Sequence, residues 1–502
     1  MTALATDVSR LMHIGPVIDG KESKRTGGGE AEIVNPATGQ VIGKQACCDE
    51  SDIDRIVESS YRAFHSKAWK GLTPADRGRL LMKLADVVEE HAEELVELEL
   101  LDTGKPITQL RAGELPLTAS LIRFYAGAAD KIEGKVKATE SGSFDFTLYE
   151  PYGVVAGILP WNYPLVNVAM KVAPALAAGN AIIIKPSIET PLTAVAFVRL
   201  CNEAGIPEGI VNVALGSGAK AGNALVNHPK VKKISFTGST AVGQLIQKQA
   251  ADQLKAVNLE LGGKNAMVVF ADADLDKAAN AALLSGFVNA GQLCVSCSRL
   301  LVEQFIADKF EKLLVEKAKK IRIGDPRDES TLVGPMITRS QYKTALGYIE
   351  GATAEGGKVL CGGGKLDMSD SLADGFWIKT TIVRVDNPKA RLAQEEIFGQ
   401  CMTVIPFRDE QHAVEIANGV QYGLSGAVWT RDVARAMRMV RAMDTGIVWV
   451  NTMLAGYPQI SVPPHKMSGT GVELGMEGLM AWVKQKSAVL SYNDAAPAGW
   501  GL

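Results

Sequence analysis

Four short stretches of this sequence carry residues able to act chemically on a substrate. Cys294, in Gly291-Gln292-Leu293-Cys294, stands at the end of an apolar helical segment. A cysteine is a good nucleophile when a helix N-terminus, a cation or a base favours its thiolate. The alternative is a buried structural thiol, since free cysteine is among the most buried residues. Cys297 three residues on raises a metal-ligand reading, but no second cysteine pair or histidine cluster stands at zinc spacing, so that reading is rejected. Glu260, in Leu259-Glu260-Leu261-Gly262-Gly263-Lys264, closes a predicted strand. Apolar surroundings there would raise its pKa and suit it to act as a base near neutral pH; a carboxylate capping the next turn would look the same. Phe236-Thr237-Gly238-Ser239-Thr240-Ala241-Val242-Gly243 reads as strand, glycine turn and helix. Backbone N–H groups at such a helix start bind phosphate, and Ser239 adds a hydroxyl. The spacing is not G-x-G-x-x-G, and a plain strand–turn–helix connection has the same form. In Leu159-Pro160-Trp161-Asn162-Tyr163-Pro164 the Asn162 amide could donate to a developing oxyanion, or serve only the turn.

Elements must bring these four together. In the first third, Ser51 and Asp52 can cap a helix toward Trp69. Thr73-Pro74 supplies an N-cap and an N1 proline for an amphipathic stretch from Ala75 to about Leu101, closed by Gly104. The pattern thins near Gly134 to Ser143, and Phe144–Tyr149 then alternates as an edge or bridging strand would. From Gly153 onward short apolar strands (Val154–Leu159, Ala181–Ile184, Ile210–Val213, Lys233–Phe236, Leu254–Leu259) alternate with helix-length segments (Leu165–Ala178, Pro191–Ala204, Thr240–Ala251). That alternation predicts a parallel, doubly wound sheet with helices on both faces. A second α/β stretch follows, with strand Ala266–Phe270, helix Leu275–Ala290, strand Arg299–Val302 and helix Ala307–Lys319, continuing to about Val450. Lys484–Tyr492 alternates again as a strand.

The 502 residues imply two or three domains, and 47% hydrophobic with 22% charged residues is ordinary globular composition. A net charge of -3 gives no reason to expect nucleic acid or an anionic membrane. Met1 to Met12 has no basic region leading into an apolar stretch, so no signal peptide is expected. The apolar run Gly153 to Pro160 falls far below the roughly 20 residues that span a bilayer. Seven scattered cysteines fit a reducing cytoplasm better than a disulfide framework.

Taken together, the four stretches resemble the aldehyde dehydrogenase superfamily over nearly the whole chain, and Lys185-Pro186-Ser187, Glu395-Glu396-Ile397-Phe398-Gly399 and Lys466-Met467-Ser468-Gly469 agree as well. The resemblance implies an α/β fold with a Rossmann-like cofactor domain (1–129 and 153–261), an α/β catalytic domain (262–466) and a small β bridging extension (130–152 and 467–502). That extension pairs subunits into homodimers or homotetramers. By position, Cys294 matches the nucleophile that attacks an aldehyde, and Asn162 with the Cys294 N–H matches the oxyanion hole. Glu260 matches the base for the hydrolytic water, and Lys171 with Glu473 matches a pair that relays its proton outward. NAD or NADP is the implied cofactor. Lys185 matches an adenosine-ribose contact, Ser239 a phosphate contact, and Glu396 and Phe398 nicotinamide-ribose contacts. Leu159, Trp161, Ser187, Ile188, Gly218, Gly238, Val242, Gly243 and Leu261 fall at other cofactor-lining positions. The aldehyde tunnel carries over to Tyr163, Val166, Asn167, Met170, Phe287, Val288, Leu293, Leu454, Gly456 and Val462.

Three departures stand out. The family's Glu after Lys-Pro-Ser is Ile188 here, with Glu189 one place later; Ile188 neither accepts from a ribose 2′-OH nor repels a 2′-phosphate, so NADP use is expected beside NAD. The family's Phe-Gly-Gly becomes Val462-Pro463-Pro464, which alters the tunnel wall. Val472 replaces the Arg before Glu473, and nothing in the sequence accounts for it. The tunnel positions hold no charged side chain and only two aromatics. A semialdehyde carboxylate would be buried unpaired and a cationic aldehyde would lack its cage, so medium to large hydrophobic aldehydes are expected. A coenzyme A-acylating relative would lack Glu260, and a non-catalytic protein of this fold would lack the thiol, base or amide.

Overall fold

The computed structural model describes residues 12–139 and 142–492. Residues 1–11, over which no signal peptide is expected, and 493–502, the end of the expected extension, lie outside the described residues. Among the described residues no helix is long and apolar enough to cross a membrane.

Short strands, wholly buried only at Val154–Ile158, Ala181–Lys185 and Val211–Val213, form an eight-stranded sheet in the order Gly469–Thr470, Ala256–Glu260, Val231–Thr237, Val154–Ile158, Ala181–Lys185, Val211–Val213, Val17–Ile18, Lys21–Glu22. From Ala256–Glu260 through Val211–Val213 the pairing is parallel. Ala181–Lys185 is buried at every position because helices cover both faces. Ile182 and Ile184 share a core with helix Pro164–Ala177, while Ile183 packs on the opposite face with Ile53, Ile56 and Val57 of helix Glu50–His65. The parallel part of this sheet starts at Val154–Ile158, winds to one side, then returns to add Val231–Thr237 on the other. The reversal is the topological switch point, outside whose carboxyl ends ligands bind in open α/β sheets. Asn162, Ser239 and Glu260 all sit at those ends.

A seven-stranded sheet runs Lys358–Cys361, Thr381–Arg384, Cys401–Phe407, Arg299–Glu303, Ala266–Val269, Ser425–Trp429, Ile447–Val450, parallel except at its first strand. A third, antiparallel sheet joins Val136–Lys137, Ser143–Pro151 and Val483–Ser491, the last two in register from Pro151↔Val483 to Ser143↔Ser491.

Several expected boundaries move. Asp49, not Ser51 or Asp52, caps helix Glu50–His65, with Asp52 completing the capping box from inside; Trp69 falls in a separate short helix, Lys67–Lys70. Thr73 and Pro74 start helix Pro74–Glu90 as expected, but it breaks at His91 before Ala92–Thr103 resumes. The His91 ring reaches Glu94 and Glu203 at 3.1 and 3.3 Å, contacts that periodicity does not encode. Leu254, expected in a strand, is 92% exposed with φ 50°, because the preceding helix closes through it; the strand begins at Ala256. The helix expected to run to Ala290 stops at Phe287. Gly469–Thr470, within the expected extension, adds to the edge of the eight-stranded sheet beside Leu259 and Glu260.

Candidate active site

Cys294 follows a helix C-terminus rather than a helix N-terminus. After Phe287 the chain turns through Asn289 and Ala290 at φ 50° and 56°. Left-handed backbone costs an L-residue on the order of 1–3 kcal/mol and persists only where the surroundings over-determine it. Here they do. Asn289 Nδ2 donates to the Asn162 and Gln292 carbonyls at 2.9 and 3.2 Å. Gln292 Nε2 donates to Asn289 O at 3.0 Å while its Oε1 accepts the Ile337 N–H at 2.9 Å. Gly291, at φ 74°, has no alternative, since a Cβ there would lie 2.4 Å from Gly399 O. Asn162 Nδ2 donates to Gln292 O at 3.0 Å, which ties the amide directly into the Cys294 segment. Asn265 secures the far side, donating to Cys294 O at 2.7 Å and Ser296 O at 2.9 Å. Burial pushes the half-buried Cys294 thiol up to about 12, and the Glu260 and Glu396 carboxylates add to the rise. At neutral pH it therefore holds its proton.

Glu260 ends strand Ala256–Glu260 and is buried. Burial holds its carboxyl well above the usual carboxylate range; Glu473 adds to this and Lys171 opposes it. Its Oε1 is buried and has no hydrogen-bond partner among the described residues. Lys171, wholly buried on helix Pro164–Ala177, ion-pairs with Glu473 and donates to Thr237 Oγ1 at 2.8 Å. Ser235 Oγ and Asn258 Nδ2 also donate to Glu473 Oε1, at 3.3 and 3.4 Å.

The positions expected to meet a cofactor gather along the same carboxyl ends. Leu159 N donates to Lys185 O at 2.9 Å. Lys185 is 4% exposed and donates to Pro186 O at 2.8 Å; burial lowers its amine to about 8, with Glu189 opposing. Gln45 Nε2 holds Ile188 O at 2.6 Å. The Ser187 hydroxyl bonds to Glu189, so a carboxylate stands beside Ser187 although position 188 lacks one. Gly218 opens the π-helical turn Gly218–Gly222, capped by Ser217. Gly238 N donates to Glu260 O at 3.0 Å, and Ser239 caps helix Thr240–Ala251 through the Val242 N–H at 3.4 Å. A Cβ on Gly243 would stand 2.5 Å from Leu261 Cδ2, the close helix approach that a dinucleotide turn uses. Glu396 Oε1 accepts from Gly263 N at 2.8 Å, burial raises its carboxyl to about 7, and the Phe398 and Trp161 rings meet edge to face at 5.2 Å.

Tyr163, Val166, Asn167 and Met170 fall at or within the start of helix Pro164–Ala177, with Asn167 Nδ2 turned back to Tyr163 O at 2.9 Å. Val288 and Leu293 flank the left-handed turn, half-buried, whereas Phe287 is 1% exposed in the core under the seven-stranded sheet. Leu454 and the exposed Gly456 follow strand Ile447–Val450. Val462 pairs with Glu473, its N–H donating to Glu473 O at 2.7 Å, so this wall and the Lys171 ion pair share one backbone bridge.

The sequence reading passed over Asn289, Gln292, Asn265, Asn258 and Ser235, which hold the others in place. Lys233, Ser235 and Thr237, alternate residues of strand Val231–Thr237, carried a legible signal: a polar period of two inside a largely buried strand requires polar partners.

Comparison with known proteins shows the family. The aldehyde dehydrogenase family profile matches residues 23–488. Aldehyde dehydrogenase family 2 member C4 of Arabidopsis thaliana is 39% identical over 481 residues, covering 95% of each chain. PnpE of Pseudomonas sp. WBC-3 is 42% identical with a TM-score of 0.94, over 97% of this chain and 99% of that one, and has also been solved with nicotinamide adenine dinucleotide. Betaine aldehyde dehydrogenase of Staphylococcus aureus with NAD+ is 36% identical with a TM-score of 0.94, over 98% and 97%. The chain belongs to the aldehyde dehydrogenase family and is an oxidoreductase acting on aldehydes.

Proposed function

We propose that this protein oxidises a neutral, hydrophobic aldehyde to the carboxylic acid through a covalent intermediate on Cys294, with Glu260 as the hydrolytic base. The observation that carries the reading is the Asn162 amide bonded into the Cys294 segment at 3.0 Å while Glu260 is buried with an unpartnered oxygen. Cys294 Sγ bonds to the carbonyl carbon as its thiol proton is lost to water, and the Asn162 amide with the Cys294 N–H stabilises the resulting oxyanion, which re-forms the C=O bond as hydride leaves. Bound nicotinamide supplies the acceptor for the hydride that turns this adduct into a thioester. Glu260 then takes a proton from water as its oxygen attacks the thioester carbon, and the Cys294 thiolate leaves and is reprotonated. Lys171 and Glu473 lead the proton away from Glu260. Wild-type enzyme should reduce cofactor steadily with aldehyde and no coenzyme A; a strict requirement for coenzyme A would overturn the hydrolytic reading.

The residues fit a dinucleotide: a helix start capped by Ser239 for phosphate, Gly243 allowing close approach, and Lys185, Ser187, Glu396 and Phe398 for the riboses. Both NAD and NADP are proposed as usable, since Ile188 leaves its position without charge while Lys185 and Ser187 remain to meet a phosphate. Glu189 beside Ser187 tempers the preference for NADP. The expected ratio of kcat/KM, NAD over NADP, lies below about 100-fold, roughly 2.7 kcal/mol. Glu189→Gln should lower that ratio. A wild-type ratio above 100-fold would refute NADP competence.

The lining positions lack charge, and Gly456 and Val462 leave volume that suits aromatic or long aliphatic groups over acetaldehyde or succinic semialdehyde. In a straight-chain series each added CH₂ should lower KM by up to about fourfold, from about 0.8 kcal/mol of burial, until the tunnel fills. Highest kcat/KM for acetaldehyde or a charged semialdehyde would sink this reading. A homodimer or homotetramer through the three-stranded sheet is supported by its exposed Val136, Phe144, Leu148 and Val489. Seven free thiols support a reducing, cytoplasmic location.

A further inference from the structure

A cluster of charge lies buried on the far side of Tyr163. Lys105 and Glu99 are each 1% exposed and Glu114 4%. The Lys105 ammonium stands 2.6 Å from Glu114 and 3.2 Å from Glu99. Gln109 Nε2 holds the other Glu114 oxygen at 3.0 Å. Lys105 Nζ also lies 4.2 Å from the centroid of the Tyr163 ring. Glu99 reaches further, accepting the Leu165 N–H at 3.2 Å. Helix Pro164–Ala177 has no capping side chain of its own, because Tyr163 occupies the N-cap position. Glu99 therefore supplies that cap from another helix, Ala92–Thr103.

Such a cluster is a poor device for stability alone. Apolar residues of similar volume hold helices together as well or better than a buried ion pair, whose members must be desolvated. What a charged cluster does provide is direction: fixed hydrogen bonds and a cation over one ring face allow a single placement. Glu114 also ends a π-helical turn, Leu110–Glu114, an irregularity frequent at functional sites. The side chains of the cluster reach Tyr163 and Leu165, immediately after Asn162.

We propose that Lys105, clamped by Glu99 and Glu114, is a positioning residue for the Asn162–Tyr163 turn, setting the oxyanion amide through Glu99 and the aldehyde wall through the Tyr163 ring. This rests on the reading of Asn162 and Tyr163 given above. Displacements of the order of 1 Å at a reacting centre lower rates by up to about a hundredfold, and a desolvated cation–π contact is strong enough to hold a ring against such movement.

The test is single-turnover cofactor reduction, with enzyme in excess over benzaldehyde or propanal. Lys105→Met should lower the rate constant by about tenfold or more for benzaldehyde and less for propanal, with cofactor affinity unchanged. Tyr163→Leu should lower the benzaldehyde rate, and Lys105→Met added to it should cost little more, since the two act through one ring. Glu99→Gln, which can still accept from Leu165, should stay within about threefold of wild type, and Glu99→Leu should not. Wild-type rates and selectivity in Lys105→Met, or additive losses with Tyr163→Leu, would overturn the proposal even if the melting temperature fell. Should Lys105→Met not fold, the Glu99 pair decides: equal loss in both variants, or loss in neither, overturns it. Absence of single-turnover reduction in the wild type would instead sink the covalent reading itself.

Discussion

Replacing Cys294 by alanine is expected to abolish aldehyde oxidation, with kcat falling by at least about a thousandfold and cofactor affinity changing less than about twofold. The carbonyl carbon then has no sulfur to bond. Cys297 does not substitute: it is 1% exposed, its N–H is held by Ser285 at 2.8 Å, and its sulfur lies 3.6 Å from Met453 Sδ in the core. The check is steady-state cofactor reduction beside a cofactor titration by fluorescence or calorimetry. Near-normal turnover in Cys294→Ala would remove the nucleophile assignment.

Glu260→Gln is expected to separate the two halves of the reaction. Steady-state kcat should fall by about 10²–10⁴-fold, the range that general-base catalysis contributes, while cofactor reduction equivalent to about one per active site persists as a burst. The burst survives for an electrostatic reason. The Glu260 carboxylate is one of the groups raising the Cys294 thiol, so neutralising it brings the thiol down and favours attack at a given pH. Hydrolysis fails because glutamine takes no proton from water. In the wild type the active base is the deprotonated carboxylate, and burial with Glu473 raises its proton affinity. Hydrolysis-limited kcat should therefore rise with pH along a limb lying above the ordinary carboxylate range, and fall as pH drops through that pKa. Glu260→Gln should flatten the limb. Loss of the burst together with turnover would mean that Glu260 acts before the thioester forms.

Much of this protein was legible along the chain because its determinants are local. Ala181–Ile184 reads as a buried parallel strand from four apolar residues in a row, and Thr73-Pro74 announces its helix through one hydroxyl and one ring. The Cys294, Glu260, Asn162 and Ser239 stretches were each visible, and their joint pattern carried the family resemblance. Some of the boundaries that failed did so where distant groups claim the backbone. Asn289 and Ala290 leave the helix because Asn162, 127 residues earlier, accepts from the Asn289 amide. Gly469–Thr470 joins the sheet edge because Glu473 must meet Lys171 across 302 residues of sequence. Position 188 looked uncharged in sequence, yet folding sets the Glu189 carboxylate beside Ser187 and Gln45 on the Ile188 carbonyl. Glu99 on its helix, Lys105 in the loop after it and Glu114 in a π-helical turn gave no signal at all, being ordinary charges until packing removed water from them. Residue type and period govern which segments become strand or helix, since those preferences act over a few residues. The proton affinities and the aim of each amide depend on desolvation and on partners hundreds of residues away, and these exist only once the chain has closed on itself.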